Sequence, residues 1–312
     1  MRWLTASAGL LLTVLLASFL AIALLDLAEG DRARAIASAR YGEGSANTSL
    51  LEQIRAELGL DRPLIVRYGD WVAHALRGDL GQSYVTREPV TALVARAATV
   101  TLPTALLAFF LGLATAVPLG TLAALRTGGV IDRLAVALAS VGAALPSFWL
   151  GLALILLFSV RWRLFPAYGA GTPAHVVLPA MTLALWVTAT LTRMIRSFLR
   201  EALAAPHLDA LRLRGVSEAR ILTHHVARPV LIALAPLLTL EGVALLEGAV
   251  VVEVVFARPG LGLALVEALR ARDVPVMLGF VVLAVLVYAT AHAIADALSR
   301  GLDPRMREAA HG

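Results

Sequence analysis

Apolar residues occur along this chain in long runs, not in the alternation of a half-buried strand or the narrow stripe of a surface helix. Six runs, over 3–25, 100–125, 134–160, 176–192, 230–256 and 274–298, approach or exceed the roughly 20 residues that cross a hydrocarbon core of about 30 Å. Prolines inside them, such as Pro103 and Pro118, do not argue against a span, because packed neighbours re-satisfy the backbone groups that proline frees. The first run follows Arg2 as a signal peptide would. It is longer than the ~7–15 residues of a signal core, so it is expected to remain as a helix.

The polar intervals differ in kind. The interval from Asp26 to Pro89 mixes both charges and holds two short amphipathic patterns, one with Leu51, Ile54 and Leu58 at helical spacing, the other at Trp71–Leu76 before the turn Gly78-Asp79-Leu80-Gly81. The interval between the fourth and fifth runs carries Arg193, Arg196, Arg200, Arg212, Arg214, Arg220 and Arg228 against Glu201, Asp209 and Glu218. With Arg2, Arg300, Arg305 and Arg307 on the same side of six spans, the positive-inside rule places that loop and both termini in the cytoplasm, and the Asp26–Pro89 interval outside. Within the loop, Phe198, Leu199, Leu203, Leu208 and Leu211 recur at helical spacing, Gly215 stops the helix, and Ser217 is placed to cap a second one beginning at Glu218.

Composition sharpens this picture. With 59% apolar and only 16% charged residues and a mean hydropathy of +0.80, the chain is too oily for a soluble domain. All 27 basic residues are Arg and there is no Cys, which excludes disulfide and thiolate chemistry. The net charge of +5 is a topology signal, not a nucleic-acid footprint.

The loop segment Leu208-Asp209-Ala210-Leu211-Arg212-Leu213-Arg214-Gly215-Val216-Ser217, with His225 ten residues past the glycine, resembles the coupling-loop signature of bacterial ABC importer permeases. The similarity extends over nearly the whole chain and is to the dipeptide, oligopeptide and nickel branch. It rests on Leu58-Gly59-Leu60-Asp61-Arg62-Pro63-Leu64, Gly78-Asp79-Leu80-Gly81-Gln82-Ser83, Pro146-Ser147-Phe148-Trp149 and Leu178-Pro179-Ala180. It rests also on Glu253-Val254-Val255-Phe256-Ala257-Arg258-Pro259-Gly260-Leu261-Gly262, Arg272-Asp273-Val274-Pro275 and Leu302-Asp303-Pro304-Arg305, all in the family's order. The chain departs from that pattern at Leu208, Arg214, Pro229, Ala233 and His292, and Arg in place of Lys at 214 changes hydrogen-bond geometry at the expected ATPase contact.

The resemblance implies an all-α integral membrane protein. A first helix over 1–26 precedes an external insertion over 27–95, a five-helix permease core over 96–300 with its coupling loop at 193–228, and a cytoplasmic tail over 301–312. It implies a multi-pass protein of the bacterial inner membrane that is not itself an enzyme. A second homologous permease, two ATP-binding subunits that hold ATP and Mg, an external solute-binding protein and membrane lipid would be its partners. Asp209, Ala210, Arg212, Arg214, Gly215, Ser217 and His225 would face the ATPase, and Glu253, Pro259, Gly260, Gly262 and Asp273 would form the external gate. Peptide, nickel, metal-chelate and glutathione importers share these motifs, so the substrate stays open.

The remaining chemistry is sparse. Glu241 and Glu247 lie inside the fifth run, where an acid is expensive unless it is paired or faces water, and they are candidate pathway residues suited to a cationic solute. Interhelical hydrogen bonding or protonation is the alternative, and six-residue steps rotate about 240°, so Glu241, Glu247 and Glu253 cannot share one stripe. His224 and His225 point about 100° apart on a helix, and His292 with Asp296 falls short of a metal set, so no metal is expected. Pro259-Gly260-Leu261-Gly262 lacks the Lys-Ser/Thr of a phosphate loop, and without a Walker motif ATP hydrolysis would belong to a partner. An ion-coupled secondary transporter would show inverted repeats, and a membrane enzyme an intramembrane catalytic constellation; neither pattern is evident. A Cys introduced at Ser45 is expected to react with a membrane-impermeant maleimide from outside and one at Ser217 only after permeabilisation; the opposite pattern would reject this topology.

Overall fold

The computed structural model describes residues 2–27, 30–45 and 47–302. The tail motif from Asp303 onward, with Arg305 and Arg307, lies outside them, as do the side chains of Arg2 and Arg300. Every element of the described residues is helical: α1 (Arg2–Leu27), α2 (Arg32–Tyr41), α3 (Thr48–Leu58), α4 (Leu64–Ala75), α5 (Val90–Leu125), α6 (Val130–Ala144), α7 (Ser147–Leu154), α8 (Ala174–Leu203), α9 (His207–Leu213), α10 (Glu218–Arg220), α11 (Ala227–Val255), α12 (Leu261–Ala271) and α13 (Val274–Leu302). Wider π-helical turns extend α7 over Ile155–Arg161 and join α10 to α11 over Ile221–Val226.

Five of these helices are long and apolar enough to cross a membrane. The third expected span is not one straight helix: α6 and the α7 segment meet at a bend of 100°. Pro146 explains the break, since it has no N–H to donate and disfavours helical geometry in the residue before it. Leu145 accordingly is extended, with ψ 124°. By contrast Pro103, Pro118, Pro179 and Pro236 sit within continuous helices. α5 also starts ten residues before the apolar run does, so a boundary at 95/96 falls inside a helix.

Among the described residues, one compact unit draws on 1–101 and 259–289. Here the insertion after α1 is three helices with a core of its own, in which Ala33, Ile36 and Ala37 of α2 bury against Leu51 and Ile54 of α3. Asp31 and Asn47 cap these two helices through Ala33 N (3.0 Å) and Leu50 N (2.9 Å). Ile22 of α1 packs with Val274 and Leu278 of α13 beneath Tyr68 and Trp71 of α4.

The second unit draws on 102–258 and 290–312, and its helices approach one another at residues with little or no side chain. A Cβ on Gly112 would stand 2.6 Å from the Val187 Cβ, and one on Gly120 would stand 2.9 Å from that of Ile195, so α5 and α8 touch nearly backbone to side chain. Gly142 of α6 meets Leu185 and Ala189, and Gly248 of α11 meets Leu183, again on α8. Outward, Phe110, Leu138 and Leu156 are more than half exposed, as side chains facing lipid would be. Gly112→Ala is expected to destabilise by about 1–3 kcal/mol through overpacking, whereas Gly242→Ala, with open space around it, is neutral or slightly stabilising. Thermal unfolding in detergent reads the difference, and equal melting of the two variants would contradict this packing.

Candidate functional site

The segment expected to couple to an ATPase follows the C-terminal end of α8. After Leu203 the chain turns at Ala204–Pro206 and forms the two-turn helix α9, pinned by Leu208, which is fully buried in the second unit's main core. The helix ends in a Schellman motif: Gly215 N–H donates to Arg212 O (2.9 Å) and Val216 N–H to Leu211 O (3.1 Å). Gly215 has φ +77°, the left-handed region where a side chain is strained, and the accompanying apolar pair Leu211 and Val216 packs on the same core.

With its inner face fixed, α9 turns its other residues outward. Asp209, Ala210, Arg212, Arg214, Gly215 and Ser217 are all exposed, as is His225 on the following π-helical turns. Arg212 braces the turn by donating to Glu218 Oε1 (2.8 Å) and Asp209 Oδ1 (2.9 Å). Those bonds, Glu218 first, raise the Arg212 pKa above its ordinary value. Ser217 occupies the N-cap position of α10, but its hydroxyl makes no capping bond. A helix of three residues that opens straight into π-helical turns has no regular first turn for a cap to close.

Two features escape a reading of the sequence. Leu213, outside the apolar spacing that marks this helix in the sequence, is 90% exposed between Arg212 and Arg214. Asp132 of α6 is buried and accepts from Arg196 Nε, from Arg196 Nη2 (2.9 Å) and from Gly128 N (2.8 Å). This fork ties the α5–α6 turn to α8 about two turns before its C-terminal end. The partners are 64 residues apart, and nothing local in the sequence links them.

The other candidate residues separate. Glu241 is buried on α11, while Glu247 is exposed and lines a cavity of about 400 Å³ within the second unit. Glu253 is buried next to Arg258, a residue that the motif contained but whose role the sequence did not reveal. Arg258 donates to Gly169 O (3.1 Å), His175 O (2.7 Å) and Thr104 Oγ1 (3.2 Å), which fastens the segment after α7 to the end of α11. Burial lowers the Arg258 pKa and the charge of Glu253 raises it in part. In the first unit Gly260 is the N-cap residue of α12, Gly262 is buried in its first turn and Pro259 is exposed. Asp273 is buried and accepts from Ser83 Oγ, Tyr84 N (3.0 Å) and Val85 N (3.3 Å), so it anchors the end of the insertion to the α12–α13 corner.

The family profile described as binding-protein-dependent transport system inner membrane component matches residues 116–308. The chain belongs to this family of ABC importer permeases. It is 36% identical over 305 residues to a protein of Brucella abortus (strain 2308) provisionally named a peptide transport system permease, covering 94% of this chain and 95% of that one. It is 33% identical over 299 residues to the glutathione transport system permease GsiC of Salmonella typhimurium (strain LT2), covering 96% of each. Among solved structures, an inward-facing form of the MetNI methionine ABC transporter aligns over 68% of this chain and 96% of its own with a TM-score of 0.56 and 19% identity, a likeness of fold.

The Asp132–Arg196 fork generates a double-mutant test. Arg196→Leu and Asp132→Leu are each expected to lower the thermal midpoint of the detergent-solubilised chain by several degrees, since each strands the other charge. The double variant is expected to lose clearly less than the two single losses combined. Additive losses would mean that the two groups are not coupled.

Proposed function

We propose that the chain is one of two permease subunits of an importer for short peptides or peptide-like solutes. Two partner ATPase subunits drive it with ATP and Mg, and an external binding protein delivers the solute. The observation that carries the coupling role is the geometry of α9: a helix anchored through Leu208, closed by a Schellman turn and presenting Asp209, Ala210, Arg212, Leu213 and Arg214 together to solvent. An exposed leucine between two arginines suits an apolar pocket with an acidic rim, and a short rigid helix can pass the motion of such a pocket to α8.

The Arg-rich stretch 193–228 supports a cytoplasmic location for this segment and for both termini, which puts the α2–α4 insertion and the Pro259–Asp273 corner outside. There Glu253, Pro259, Gly260, Gly262 and Asp273 would shape the external mouth. The preference for a peptidic solute over nickel or a metal chelate follows the names carried by the Brucella and Salmonella relatives. Glu247, and less directly the buried Glu241, would border the solute's path.

Copurification of ATPase subunits with the tagged chain, followed by ATP-driven peptide uptake in proteoliposomes, tests the assembly. Gly215→Pro cannot adopt φ +77° and removes the N–H that closes the turn. It is expected to leave membrane insertion intact while abolishing transport-linked ATP hydrolysis, and Leu213→Glu is expected to lose ATPase copurification. Normal transport by both variants would reject the coupling assignment.

A further inference from the structure

The break between α6 and α7 opens onto the cavity of about 400 Å³, which falls within the ~300–1,000 Å³ typical of small-molecule sites. Leu145, Pro146 and Ser147 of the break line it on one side, and Thr182, Trp186 and Glu247 line it on others. All of these residues belong to the second compact unit.

The site sits deep in the spans. At a rise of 1.5 Å per residue, Glu247 is about 12 Å along α11 from its Val255 end and Trp186 about 18 Å along α8 from Ala174. Non-helical backbone at such depth persists only where it is buried in protein or borders water. Leu145 and Pro146 are at the wall of a cavity. Glu247 is exposed there and, among the described residues, its carboxylate has no hydrogen bond or ion pair. An exposed acid at membrane depth requires water or a cation beside it. The indole of Trp186, about half exposed, adds the aromatic face that attracts cations best.

We infer that this cavity is a solute subsite for a cationic group, with the Glu247 carboxylate supplying charge, the Trp186 face supplying cation–π attraction, and the α6–α7 break supplying the room. The group it fits is an ammonium, such as the amino terminus of a peptide. The inference rests on the importer reading and narrows it to one place and one charge. It also separates the two acids of α11: Glu247 belongs to the subsite, and Glu241, buried outside this cavity, does not.

The test uses the full chain, assembled with its partners in nanodiscs without the binding protein and keeping Trp186 as its sole tryptophan. Caesium ion, iodide and neutral acrylamide are the quenchers. Caesium is expected to quench Trp186 at least about threefold more steeply than iodide, because a fixed carboxylate concentrates cations. Glu247→Gln is expected to abolish the difference and Glu247→Asp to retain it, with acrylamide quenching the same in all three, which shows that the cavity remains open. Trialanine is expected to protect Trp186 from caesium, and N-acetyl-trialanine is not. Equal quenching by the two ions, or a difference that survives Glu247→Gln, would overturn the subsite; equal protection by both peptides would overturn the ammonium assignment. ATP-driven uptake by the same complex with its binding protein added reads the importer separately. Absent uptake with the quenching difference intact counts against the importer alone, and uptake without that difference counts against the subsite alone.

Discussion

Helices in hydrocarbon gain nothing from hiding apolar side chains from one another, because lipid is as apolar as leucine. What remains is contact at short range, and the second compact unit obtains it by removing side chains where α8 meets its neighbours. Gly112 and Gly120 admit Val187 and Ile195 from one side, Gly142 admits Leu185 and Ala189 from another, and Gly248 admits Leu183 from a third. α8 is therefore held by three helices at once. Its C-terminal extension, α9, inherits that fixed position, and so does Trp186 at the edge of the cavity.

The six apolar runs were legible because a lipid core imposes length and composition on each span separately. Their ends were not, since a helix such as α5 continues past the apolar stretch wherever polar side chains such as Arg96 reach solvent. Proline shows the same limit from the other direction. Of the prolines within the runs, Pro146 breaks its helix and Pro103, Pro118, Pro179 and Pro236 do not; the difference lies in neighbouring elements that a single sequence does not display. The helix stop after α9 could be read because its turn is local: Gly215, Leu211 and Val216 close it within six residues. The Asp132–Arg196 fork and the Asp273 anchor join residues 64 and 190 positions apart, and no short-range pattern announces either.

The acids of α11 illustrate how rotation decides chemistry. Glu241, Glu247 and Glu253 are evenly spaced in sequence, but each step turns the helix about 240°. One carboxylate ends up buried, one at an open cavity wall, and one buried beside the Arg258 guanidinium. Equal spacing along the chain thus gave three unequal environments, and only the structure distinguishes them.

The Schellman closure of α9 has a thermodynamic consequence. Its backbone bonds, its left-handed glycine and its buried leucine are all satisfied within the chain, so the segment holds its shape before anything binds to it. A partner that docks there need not order the loop, and association forgoes the several kcal/mol that folding on binding would consume. Preorganisation of this kind suits a joint that must engage with modest contact area and still transmit force without first absorbing it as local disorder.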